Sequence, residues 1–140
     1  MQYIRSGSDY IIRFDRGDEL ITELTKLCRD ENIKCGSISG LGAADEVTLG
    51  VFNLKTFRYE KTTFKGVFEI ASCVGNASRK DGEVYLHLHM TVSNPSNGQV
   101  YAGHLNFCHI SLTGEFFLHS VDADVDRVYS DEVGLNLMKF

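Results

Sequence analysis

Apolar and polar residues alternate along most of this chain. The clearest run covers residues 83–92. There Val84, Leu86, Leu88, Met90 and Val92 fall on one face of a strand, and Tyr85, His87, His89 and Thr91 on the other. Related runs predict strands over residues 10–14, 37–39, 46–52, 57–64, 67–74, 99–107 and 110–119, many of them separated by Gly, Asn, Asp or Ser clusters. One segment follows a different period. Leu20, Ile21, Leu24, Leu27 and Cys28 make a helical stripe, with Asp18 as the expected N-cap, Glu19 and Glu23 at the positive end of the dipole and Arg29 near the last turn. Residues 126–134 read as a loop, followed by a short closing strand over 135–140. One helix against many strands predicts an α+β domain, with one main helix packed on a mostly antiparallel β-sheet.

Composition narrows the class. The chain has 140 residues, 43% of them hydrophobic, which predicts a single domain over 1–140, since cores divide only beyond about 250–300 residues. No run approaches the roughly 18 apolar residues of a membrane span, and the first residues lack the apolar stretch of a secretion signal. Cys28, Cys35, Cys73 and Cys108 are scattered and form no C-x-x-C pair, so they read as free thiols in a reducing cytoplasm.

The net charge of −5 repels duplex DNA unless positive charge is segregated. Some segregation exists: Lys55, Arg58, Lys61 and Lys65 gather around Glu60, while Asp122, Asp124, Asp126, Asp131 and Glu132 surround Arg127. Two solvated faces are the favoured account, since charge runs usually lie at the surface, and this weakens a DNA-binding reading.

The histidine run carries the chemistry. Asn94-Pro95-Ser96-Asn97-Gly98 supplies a turn between residues 83–92 and 99–107. If the hairpin is symmetric about the Ser96–Asn97 bond, His89 opposes His104 on the polar face, with His87 in diagonal reach. A slip of one residue would send His104 to the other face. Three neutral imidazoles suit zinc with a fourth position open; iron, nickel or copper would also accept them. The other reading is three histidines on a polar face, stacked with Tyr85 and Tyr101. His109 and His119 lie outside this convergence and read as ordinary polar histidines.

Further candidates are isolated. Residues 39–45, Ser-Gly-Leu-Gly-Ala-Ala-Asp, place Asp45 where a dinucleotide fingerprint needs its third glycine, so a tight strand-to-strand connection is expected. Glu69 and Glu115 interrupt apolar strand runs; each is either an outward carboxylate or a proton-transferring group near a metal. Arg13, within Ile11-Ile12-Arg13-Phe14, poses the same choice and could hold an anion.

Residues 10–20 (Tyr-Ile-Ile-Arg-Phe-Asp-Arg-Gly-Asp-Glu-Leu), then Gly36-Ser37-Ile38-Ser39-Gly40-Leu41-Gly42-Ala43, Phe68-Glu69-Ile70, Leu86-His87-Leu88-His89 and Gly103-His104-Leu105 occur in that order. Together they resemble the plant and prokaryote conserved (PPC) domain in its stand-alone prokaryotic form, from about Tyr10 to the end. The resemblance implies a helix against an antiparallel sheet, a homotrimer, and a metal on His87, His89 and His104. The family is commonly labelled DNA-binding; in plants the domain accompanies a separate AT-hook, and this chain has no Arg-Gly-Arg-Pro core. The fold is also similar to that of acetolactate decarboxylase, a zinc lyase with a comparable histidine set. Ala102 departs from the glycine that PPC sequences often carry there, which should affect packing more than ligation.

Three functions follow as expectations. The first is a metal-binding homotrimer serving as a small-molecule binding or sensing module. The second is a zinc-dependent lyase or hydrolase acting on a small anionic metabolite, with Arg13 or a basic neighbour holding the carboxylate and Glu69 or Glu115 moving protons. The third is a transcription-related DNA-binding protein.

Overall fold

The alternating pattern runs further than its turn signals suggest. In the computed structural model, which describes all 140 residues, strand accounts for 69% of the chain and helix for 8%. The strands are β1 (Gln2–Ser6), β2 (Asp9–Asp15), β3 (Gly36–Asn53), β4 (Arg58–Lys80), β5 (Glu83–Ser93), β6 (Val100–Ser120), β7 (Asp126–Ser130) and β8 (Leu135–Lys139), with one helix, α1 (Leu20–Asp30), between β2 and β3. The expected α+β class is therefore corrected. The protein is mostly β, and its short helix is an accessory to a large antiparallel sheet.

The reason lies in the glycine clusters, which bend strands instead of ending them. Residues 37–39 and 46–52 belong to one strand, β3, and the expected connection at 39–45 is strand with register shifts at Gly40/Gly42 and Ala44/Glu46. Here glycine is needed for space. A Cβ on Gly40 would enter the Phe116 ring, and one on Gly42 would meet the Thr113 carbonyl of β6. In the same way residues 57–64 and 67–74 fuse into β4 through Gly66, and 99–107 and 110–119 fuse into β6.

The long strands allow the sheet to close on itself. The order is β1-β2-β6-β3-β4-β5, and the start of β6 pairs back onto β5. Inside lie Phe14, Val47, Cys73, Leu88, Met90, Cys108, Ile110, Phe116 and Leu118, all buried. The helix seals this core with Leu20, Leu24, Leu27 and Cys28, the stripe read from the sequence. Its N-cap is Glu19, not Asp18: the Glu19 carboxylate accepts from the Ile21 and Thr22 amides, while Asp18 accepts from the Asp15 amide and binds the N-terminal ammonium at 2.7 Å.

The expected loop over 126–134 is instead strand β7 and a turn, paired with β8 in a separate two-stranded ribbon. All four cysteines are free. No helix is long and apolar enough to cross a membrane.

Candidate metal centre

Alternation along β5 puts Leu88, Met90 and Val92 into the core and turns His87 and His89 outward. The turn at 94–98 sets the register: the Gly98 amide donates to the Asn94 carbonyl at 2.9 Å, and the Asn94 amide to Gln99 at 2.8 Å. From there the ladder runs Ser93↔Val100 and Met90↔Gly103 to His89↔His104, the pairing expected from a symmetric hairpin. Ring centroids lie 5.1 Å apart for His87 and His104, 5.3 Å for His87 and His89, and 5.7 Å for His89 and His104. One nitrogen from each ring can be chosen so that all three lie within 4.8 Å of one another.

This donor set fits a transition metal ion. Zinc–imidazole bonds of about 2.0–2.1 Å bring tetrahedral ligand nitrogens to about 3.3 Å, a distance that side-chain rotation can close from here. Two of the imidazoles, His87 and His104, are also biased towards the neutral form that ligation requires. Burial, then the neighbouring His87 and His89, then Lys61, hold His104 down to about 4. Burial, then Arg127, then His89, hold His87 below its ordinary value. No carboxylate contributes to either shift.

The surroundings were invisible to pattern reading. Lys61, Gly50, His104 and His89 are successive partners across β4, β3, β6 and β5, so they form one row on the outward face. Gly50 leaves space that the Tyr59 hydroxyl fills, and the Tyr59 ring stands edge-on to His104 at 5.9 Å. Asn106 donates to that hydroxyl at 2.7 Å. On the other flank Asn76 pairs with His87, and its side-chain oxygen accepts from Arg127 at 2.8 Å. In the sequence Lys61 stands only as part of a charge run, and Arg127 only as the basic residue of an acidic stretch. Placing Tyr59 and Lys61 here requires the β3–β4 register, which no local motif encodes.

The three residues expected to do catalytic work lie elsewhere. Glu69 is exposed and pairs with Ser93, four residues from His89, or about 13 Å along the strand. Glu115 and Arg13 are partners of each other on β6 and β2, both exposed, and Arg13 donates to Asp15 at 2.9 Å. Phe117, two residues beyond Glu115, is three strand spacings from His89 through Ser39 and Val74, about 14 Å along the curved sheet. His109 and His119 are each paired with an aspartate, Asp45 at 2.5 Å and Asp9 at 2.8 Å.

Comparison with known proteins follows the same lines. A family model described as the Plants and Prokaryotes Conserved domain matches residues 1–122. A proposed DNA-binding protein from Bacteroides thetaiotaomicron is 36% identical, with a TM-score of 0.95 over 99% of this chain and 96% of that one. A plant- and prokaryote-conserved protein from Pyrococcus horikoshii is 29% identical, with a TM-score of 0.85 over 99% and 94%. A metal-containing protein from Archaeoglobus fulgidus is 26% identical, with a TM-score of 0.87 over 97% and 96%. A Staphylococcus aureus protein similar to α-acetolactate decarboxylase shares the fold at 8% identity and a TM-score of 0.56, over 88% of this chain and 56% of that one. No curated protein matches the chain.

Proposed function

The chain belongs to the Plants and Prokaryotes Conserved domain family, and from that premise we propose that it binds a divalent transition metal ion, zinc foremost, through His87, His89 and His104. It does so as a homotrimeric module that binds or senses a small molecule. The observation that carries this reading is the convergence of three imidazole nitrogens within 4.8 Å on a partly open sheet face. When bound, zinc would supply a Lewis-acidic position left open by three protein ligands. The chain's own contribution is to orient those ligands. The β5–β6 ladder fixes His89 against His104, and Tyr59 limits the tilt of the His104 ring. The metal-containing Archaeoglobus relative supports the reading.

The homotrimer is supported by an unpartnered apolar row. Ile4, Ile11 and Phe117 are successive partners on β1, β2 and β6, with exposures of 67%, 47% and 56%, and Val74 continues the row two strands on. A second copy of the chain is the occupant that the family premise favours. Buried free thiols at Cys28, Cys73 and Cys108 accord with a reducing cytoplasm.

The lyase reading loses its named acid–base groups, because Glu69 and Glu115 stand more than a hydrogen bond's reach from the histidines. The DNA-binding reading retains one supporting observation, the proposed DNA-binding role of the Bacteroides relative. Against it, Lys65 is already paired with Glu46 at 2.9 Å. Metal analysis of the purified protein beside His104→Ala tests the main reading.

A further inference from the structure

Arg127 is the most buried cation of the molecule, 6% exposed, and no acid answers it. Its Nε donates to the Ser78 hydroxyl at 2.7 Å, Nη1 to the Asn136 carbonyl at 3.0 Å and Nη2 to the Asn76 side-chain oxygen at 2.8 Å. Its guanidinium carbon stands 4.6 Å from the centroid of the Tyr85 ring. All three acceptors are neutral. A guanidinium withdrawn from water without a counter-charge is costly, and a fold that holds one this firmly has a charge to balance.

The place of that charge follows from the strand register. Asn76 and Ser78 on β4 are the partners of His87 and Tyr85 on β5, so Arg127 lies on the outward face, one side-chain step from His87. On the opposite flank Lys61 shares the row of His104 and His89, with its Nζ 5.7 Å from the Tyr59 ring centroid. The histidine cluster is thus bracketed by two cations, and a divalent metal between them would raise the local positive charge further. Glu69 and Glu115, the acids expected to do chemistry, both lie away from it.

We propose that this centre takes a small oxyanion, a carboxylate or phosphate, with Arg127 and Lys61 holding its charge beside the three histidines. The inference rests on the metal reading and names the ligand class of that site. It also moves the anion-holding role from Arg13 to Arg127. With its fork engaged by Ser78, Asn136 and Asn76, Arg127 acts here as a positioning residue whose field favours an oxyanion, and the exposed Lys61 adds direct attraction from the solvent side.

The test uses the full chain loaded with cobalt(II), followed by its visible absorption. Malonate and inorganic phosphate are titrated in separate arms, with neutral acetamide as control. We expect either oxyanion to shift the cobalt bands and acetamide to leave them unchanged; the stronger arm identifies carboxylate or phosphate as the preferred source. Arg127→Gln should weaken the oxyanion at least about tenfold at unchanged cobalt stoichiometry. Because Arg127→Gln also removes hydrogen bonds to β4 and β8, the exposed Lys61→Gln repeats the measurement, with a weakening of about two- to fivefold. Cobalt bound without any oxyanion response, or responses identical in wild type and both variants, would overturn the inference alone. Failure of the wild-type chain to bind cobalt would overturn the metal reading and this inference with it.

Discussion

His89 and His104 are direct partners across the β5–β6 ladder, their ring centroids 5.7 Å apart, with Tyr59 standing edge-on to the second ring. Half-burial among other basic groups holds His104 down to about 4, against an ordinary value near 6.5. Above pH 6.5 the ring is neutral in both folded and unfolded chains, and stability is unaffected. Below it the unfolded chain takes up a proton that the folded one refuses, so stability falls as pH drops from about 6.5 towards 4. His87 is shifted in the same direction and adds to the slope. Urea midpoints of the metal-free protein at pH 7.5, 5.5 and 4.5 should decline in that order, and His104→Asn should flatten the decline. A variant profile parallel to wild type would refute the assignment.

Two glycine substitutions should differ in cost, although both added Cβ atoms collide with an aromatic ring. At Gly50 the obstacle is the outer end of the half-exposed Tyr59, which can swing into solvent. Gly50→Ala should therefore cost about 1 kcal/mol or less while freeing the His104 ring. At Gly40 the obstacle is Phe116, fully buried and fixed edge-on to Phe14 at 5.1 Å. Gly40→Ala should cost about 1–3 kcal/mol or more, since an overpacked core cannot yield. Denaturant unfolding of both variants decides the order.

Assembly is read from mass. The chain weighs 15.7 kDa, so a homotrimer should scatter light at three times that value. Phe117→Glu places a charge in the middle of the Ile4–Ile11–Phe117 row and should dissociate the assembly. A wild-type mass of one chain would remove the oligomer from the account.

Duplex DNA should bind no more tightly than nonspecifically, about 10⁻⁴ to 10⁻⁶ M at physiological salt, and lose that affinity steeply as salt rises. Fluorescence anisotropy of a labelled duplex at two salt concentrations is the check. Nanomolar, salt-tolerant binding would reverse the ranking of the DNA and metal readings.

What was legible in the sequence was local. The helix stripe from Leu20 to Cys28, the alternation of β5 and the turn around Pro95 each report on residues a few positions apart, and together they place His87, His89 and His104 on one face. What failed was punctuation. Gly40, Gly42 and Gly66 read as breaks because glycine usually ends a strand, yet here it lets β3 and β4 bend and continue past large side chains. That misreading split the long strands and gave the helix too large a place in the fold. Arg127, Tyr59 and Lys61 escaped for a related reason: their nearness to the histidines is set by pairings between distant segments. Arg13, Glu69 and Glu115 stood out as charges in apolar runs, but alternation simply turns them to solvent.

The central claim is decided by metal content. Protein expressed with zinc available, then dialysed against metal-free buffer, should carry close to one zinc per chain by elemental analysis, and His104→Ala should carry almost none while keeping its fold by circular dichroism. Equal zinc in the two proteins, or none in either, would contradict a metal centre at His87, His89 and His104.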